Sequence, residues 1–144
     1  MRNSVKAHLL LPGEGVAGFD AATKAAHTST GGNLSVIESR TRGGAPWHVH
    51  TREDEYFYVL EGAIIVHCST EVWEAGPRSF VFLPRGITHA WDVGREGVAT
   101  LLMMTVPAML EEFLREFHAA ASKEIRDQVA ERYGITFLPG PDSL

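Results

Sequence analysis

The stretch Trp47-His48-Val49-His50-Thr51-Arg52-Glu53-Asp54-Glu55 sets two imidazoles two residues apart, with carboxylates close behind them. Along an extended strand successive side chains point to opposite faces, so His48 and His50 project to the same side. Thr51-Arg52-Glu53-Asp54 is polar enough to turn the chain, after which the alternation restarts at Glu55 and swings its carboxylate back over the histidines. A fourth candidate, His89, closes the run Pro84-Arg85-Gly86-Ile87-Thr88-His89. Three neutral nitrogens and one carboxylate oxygen suit a divalent transition ion, and leave positions open where the ion prefers five or six ligands. A register slip of one residue would make Asp54 the ligand. Otherwise Glu53 and Asp54 read as solvated turn acids.

Outward from that stretch, strand candidates follow at short intervals: 33–41, 47–50, 55–60, 63–68, 71–74, 79–83, 88–93 and 98–106. Many short strands with turn signals between them predict an antiparallel sandwich or barrel. Glu61-Gly62 reads as a hairpin turn, since glycine supplies the positive φ such turns need. The N-terminal part to about Gly32 reads as loop, punctuated by Pro12-Gly13 and Gly31-Gly32. Beyond Pro107, which suits a first helical turn, Leu110, Phe113, Leu114, Phe117 and Ala121 recur at helical spacing and predict a helix over 108–121. A second helix over 123–132 has Ser122 as its cap, Ile125 and Val129 on its buried side, and Gly134 at its end.

The two histidine-bearing runs resemble the signatures of the cupin superfamily. The first, HxH, four residues, Glu, six residues, Gly, is met by His48, His50, Glu55 and Gly62, and the second, Pro-x-Gly-x-x-His, by Pro84, Gly86 and His89. The C-terminal run with Phe113, Phe117 and the ending Tyr133-Gly134-Ile135-Thr136-Phe137-Leu138-Pro139-Gly140-Pro141 is similar to small single-domain cupins of the quercetin 2,3-dioxygenase-like group. Glycines that usually open each signature are absent: Arg42 and Arg78 stand there, with Gly43 one place late, and Val93 replaces a closing Asn. The resemblance implies an all-β cupin (jelly-roll) antiparallel barrel over about 31–106, with a C-terminal helical segment over about 107–133, in one domain. It implies that His48, His50, Glu55 and His89 hold one iron, manganese, nickel, cobalt, copper or zinc ion. It also implies a homodimer.

Composition agrees with this without pointing to it. A chain of 144 residues, 22% charged and 44% hydrophobic, is ordinary for one globular domain with a single sizeable core. A net charge of -5, with scattered basic residues, argues against nucleic acid as a partner. The apolar run near Met1 to Pro12 is too short for a secretory or membrane segment, so no membrane partner is expected and the protein reads as cytoplasmic. A single cysteine, Cys68, precludes an internal disulfide. His67 precedes it, but adjacent strand residues face opposite ways, so the two are not read as a nucleophile pair. His8, His27, His67 and His118 lack partner spacing and read as structural or solvent-facing.

Strand parity also predicts the surroundings of the ion. Residues two apart share a face, so Phe57 follows Glu55 inward and Trp91 follows His89, and the two aromatics would wall a small-molecule pocket. With one carboxylate the charged site favours an enolate or phenolate, whose proton Glu55 can take as general base. The resemblance implies a dioxygenase acting on a flavonol-like or other enolisable aromatic. Polyketide cyclases and isomerases that use the ion as a Lewis acid without oxygen share these residues, as do non-catalytic small-molecule-binding cupins.

Overall fold

The computed structural model describes residues 5–18 and 21–139. Residues 1–4 and the closing Gly140-Pro141 of the C-terminal run lie outside the described residues. Among the described residues eleven strands and three helices follow in chain order: β1 (Val16–Gly18), β2 (Ala21–Ala25), α1 (His27–Thr30), β3 (Ser35–Thr41), β4 (Ala45–His50), β5 (Asp54–Gly62), β6 (Ile64–Cys68), β7 (Glu71–Ala75), β8 (Phe80–Leu83), β9 (His89–Val93), β10 (Ala99–Val106), α2 (Leu110–Ala119), α3 (Lys123–Arg132) and β11 (Ile135–Phe137). One sheet runs β1-β2-β3-β10-β5-β8 and the other β11-β4-β9-β6-β7, every pairing antiparallel.

Alternation along the strands decides what lies between the sheets. Phe57, Val59, Ile64, Val66, Val81, Leu83, Trp91, Ala99 and Leu101 are buried in one cluster. Phe80 and Phe82 take the opposite face of β8, are 60% and 46% exposed, and lie beside Tyr56. A second cluster, with Ile37, Leu110, Phe113, Val129, Ala130 and Ile135, seats α2 and α3 on β3 and β11.

Several sequence expectations need correction. The N-terminal part is not all loop: β1, β2 and α1 occupy it, and β2 pairs with β3. Every residue of β2 is half-buried, so no two-residue alternation marks it. Gly62 does take a positive φ of 71°, but Glu61-Gly62 makes no hairpin between paired strands, because β5 and β6 lie in different sheets. The glycine turns the corner from one sheet to the other, where a Cβ would stand 2.5 Å from the Val98 carbonyl oxygen. Pro107 is not a first helical residue, as α2 starts at Leu110, and it ends at Ala119 rather than 121. In α3, Ser122 caps as expected by accepting from the Ile125 N–H at 3.2 Å, yet Ile125 itself is 44% exposed. The buried stripe is Val129 and Ala130, so only the C-terminal half of the helix meets the barrel. Strand β11 carried no signal, being three residues long.

Candidate metal centre

Two rows of inward-facing residues meet at one end of the barrel. Register sets Ser35, Thr105, Glu55 and Leu83 side by side across β3, β10, β5 and β8. On the other sheet Phe137, His48, His89 and Cys68 line up across β11, β4, β9 and β6. Glu55 in the first row thus faces His48 and His89 in the second, and His50 joins them one inward step along β4.

His48, His50, Glu55 and His89 are all buried, none more than 6% exposed, and each offers one ligand atom within 4.8 Å of the others. The Nε2 atoms of His48 and His50 are 3.1 Å apart. Glu55 places Oε1 3.1 Å from His89 Nε2 and Oε2 3.6 Å from His50 Nε2. The remaining ring nitrogens are already engaged: His48 Nδ1 donates to the Pro46 carbonyl at 2.7 Å and His89 Nδ1 to the Ile87 carbonyl at 3.3 Å. A carbonyl has no proton to give, so those Nδ1 atoms carry the hydrogen and the Nε2 lone pairs point into the cluster.

Neighbouring elements hold the cluster from behind. Gly86 donates its N–H to the His50 carbonyl at 2.8 Å, and Arg85 donates its N–H to Asp54 at 2.9 Å and its Nε at 3.2 Å. The Pro-x-Gly-x-x-His turn is therefore stitched to the strand that carries the first two histidines. On the other side, Thr51 donates its N–H at 2.9 Å and its hydroxyl at 2.8 Å to the Gly134 carbonyl, and Arg52 donates to the Arg132 carbonyl at 2.7 Å. Gly44, two places after the expected glycine position, lies so close to β9 that a Cβ would fall 1.8 Å from the Trp91 carbonyl oxygen.

Electrostatics differ among the four. Burial, with His89 adding repulsion, pushes His48 down to about 4, so its ring is neutral at pH 7. Burial also opposes charge on His50, but the Glu55 and Glu53 carboxylates outweigh it and raise His50 above its ordinary 6.5. For Glu55 burial favours the neutral acid, yet the facing His50 and His89 rings prevail and hold it below the usual carboxylate range. Two imidazole Nε2 atoms at 3.1 Å need a proton or a metal ion between them. Two ligand atoms about 2.1 Å from one ion, at right angles, are about 3 Å apart, so the donor set fits a divalent transition ion.

The four residues expected from the sequence converge in the structure, and Asp54 is not among them, since it faces Arg85. Glu53 departs from expectation and is no solvated turn acid: 8% exposed, it receives the His50 Nδ1 at 2.6 Å. The short spacing from His50 was the available signal. Phe57 and Trp91 do point inward, with ring centroids 5.3 Å apart, but they pack on each other one step deeper than the ligands. One further group went unnoticed. Thr105, fully buried opposite Glu55, has a hydroxyl with no hydrogen-bond partner among the described residues. Cys68 is buried opposite His89, and burial, with Glu71 adding to it, pushes its thiol up. His67 faces the other way, toward the Trp47 ring, as parity requires.

Residues 36–105 match the family model described as the cupin domain. Similar solved structures include KdgF from Halomonas sp., 19% identical with a TM-score of 0.53, over 64% of this chain and 81% of that one. Pac13 of Streptomyces, described as a unique nucleoside dehydratase, is 14% identical with a TM-score of 0.51, over 65% and 81% of the two chains. A protein from Bacillus halodurans is 17% identical with a TM-score of 0.51, over 54% and 65%. No curated protein sequence matches the chain. The chain has the cupin fold. At such identities the structural likeness speaks for the fold alone.

Proposed function

We propose that this protein is a metal-dependent cupin enzyme, with His48, His50, Glu55 and His89 as ligands of one divalent transition ion and a small enolisable molecule as substrate. The observation that carries the reading is the convergence of three Nε2 atoms and one carboxylate in a buried cluster whose ring tautomers are already set. A divalent ion held there supplies Lewis acidity and, where redox-active, a path to oxygen. Glu55 takes the proton of an acidic hydroxyl as the substrate arrives, its two oxygens each facing one imidazole, Oε1 the His89 ring and Oε2 the His50 ring. Phe57 and Trp91 close the barrel below and keep water from that side.

The first reading of the reaction is oxygen insertion into an enolisable aromatic such as a flavonol. The second is cyclisation, isomerisation or elimination without oxygen. It gains support from Glu53, since a second buried carboxylate beside the donor set lowers the net charge and suits a substrate that binds neutral and loses its proton in place. A nucleoside dehydratase on the same fold shows the barrel hosting chemistry other than oxygenation.

The test is to determine bound metal and then follow dissolved oxygen with quercetin and other enolisable phenols across reconstituted metals. Oxygen uptake lost in Glu55→Ala and His89→Ala supports the first reading, and turnover in anaerobic buffer the second. Metal-free protein with no affinity for any of these ions ends both. A homodimer accompanies this reading, and sedimentation of the purified chain decides it.

A further inference from the structure

We infer that Glu53 is a positioning residue of this centre: its carboxylate fixes the His50 ring through Nδ1 and makes His50 Nε2 the strongest of the three imidazole donors. The inference rests on the proposed metal reading, and deepens it by making the three histidines unequal. His48 and His89 lean on neutral backbone carbonyls two residues before them. His50 leans on a carboxylate at 2.6 Å, the shortest of the three bonds. A bond to a carboxylate is roughly twice as strong as one to a neutral acceptor, and it draws the Nδ1 proton away from the ring, which raises electron density at Nε2.

Glu53 is also held where it can do this. Thr51 and Arg52 tie its turn to Gly134 and Arg132, and Asp54 ties it to Arg85. Its neighbours on both sides are anchored, and the side chain itself is 10% exposed. Glu53 stands outside the convergent donor set of His48, His50, Glu55 and His89, so it acts on the ion through the ring rather than as a ligand.

Metal-free wild type, Glu53→Gln and Glu53→Ala proteins titrated with cobalt(II) against a chelator give the affinities. Glu53→Ala is expected to bind cobalt about 10–100-fold more weakly, and Glu53→Gln, whose amide oxygen still accepts from Nδ1, to fall between the two. In parallel, nitrogen-15 spectra of the metal-free proteins at pH 9 report the His50 tautomer. Nδ1–H is expected in wild type and Glu53→Gln, and a mixture in Glu53→Ala. Cobalt affinities of both variants within about threefold of wild type would overturn the inference. So would a His50 ring that stays Nδ1–H in Glu53→Ala. Should the alanine variant fail to fold, the near-isosteric Glu53→Gln decides, and equality with wild type in affinity overturns the inference. Wild type that captures no cobalt defeats the metal reading itself, while the tautomer still rules on Glu53.

Discussion

The carboxylate of Glu111 receives the His27 ring at 3.0 Å, and that of Glu53 receives the His50 ring at 2.6 Å, but the two pairs have opposite surroundings. Around Glu111 the valences close. The His27 backbone N–H donates to Oε1 at 2.7 Å, the Ser35 hydroxyl donates to Oε2, and Ser35 accepts from the Met109 N–H at 2.8 Å. That network fastens α2 to α1 and β3. Around His50 the far ring nitrogen meets another ring's lone pair and a second carboxylate. A histidine bonded to a carboxylate is therefore no sign of chemistry by itself. The sign is polar atoms brought together with nothing of the protein's own to satisfy them.

The comparison can be broken most sharply at the ligands. His89→Ala is expected to lower affinity for cobalt or zinc by at least about 100-fold, more than loss of a group behind a ligand costs, while His27→Ala leaves it unchanged. Chelator competition measures both, and an equal loss in the two variants would erase the distinction. Next in size, Glu111→Gln should leave metal affinity alone and lower the melting temperature by roughly 5 °C at pH 7, through lost hydrogen bonds to a charged acceptor.

This deficit should depend on pH. Burial pushes Glu111 up, but the Ser35 hydroxyl and the His27 N–H groups outweigh it and hold the carboxyl below its ordinary 4.5. A depressed carboxyl stabilises the fold above its ordinary value and loses that contribution as the pH falls through the depressed one. Melts of Glu111→Gln and wild type should accordingly converge below pH 4.5, and a gap that widens in acid would reverse the argument.

The smallest effect is expected at Thr105. If its hydroxyl is unsatisfied in the metal-free protein, Thr105→Val should stabilise that form by roughly 1 kcal/mol. A destabilised variant would mean that the hydroxyl has a partner, and the group would then belong with the closed valences around Glu111.

Much of this was legible in the chain because it depends on local spacing. Parity alone sends His48 with His50 and Glu55 with Phe57 to the interior. Strands with strong alternation were located to within about two residues, and α3 was bounded correctly at both ends by Ser122 and Gly134. What remained hidden depends on partners distant in sequence. Strands β2 and β11 exist because β3 and β4 offer open edges, and neither has enough inward side chains to announce itself. Gly62 shows the same limit, since its φ could be foreseen but not the sheet to which the chain departs. Glu53 was hidden because a polar turn usually faces water, and only clamps from Gly134, Arg132 and Arg85 turn it inward.

The bond from Gly86 to the His50 carbonyl joins the two signature runs through main chain, so it outlasts any substitution that leaves the residue 86 N–H in place. Loosening of either run on warming must drag on the other, and capacity for an ion should vanish in the same transition as the barrel rather than ahead of it. The centre then behaves as a keystone, seated only while the arch around it stands.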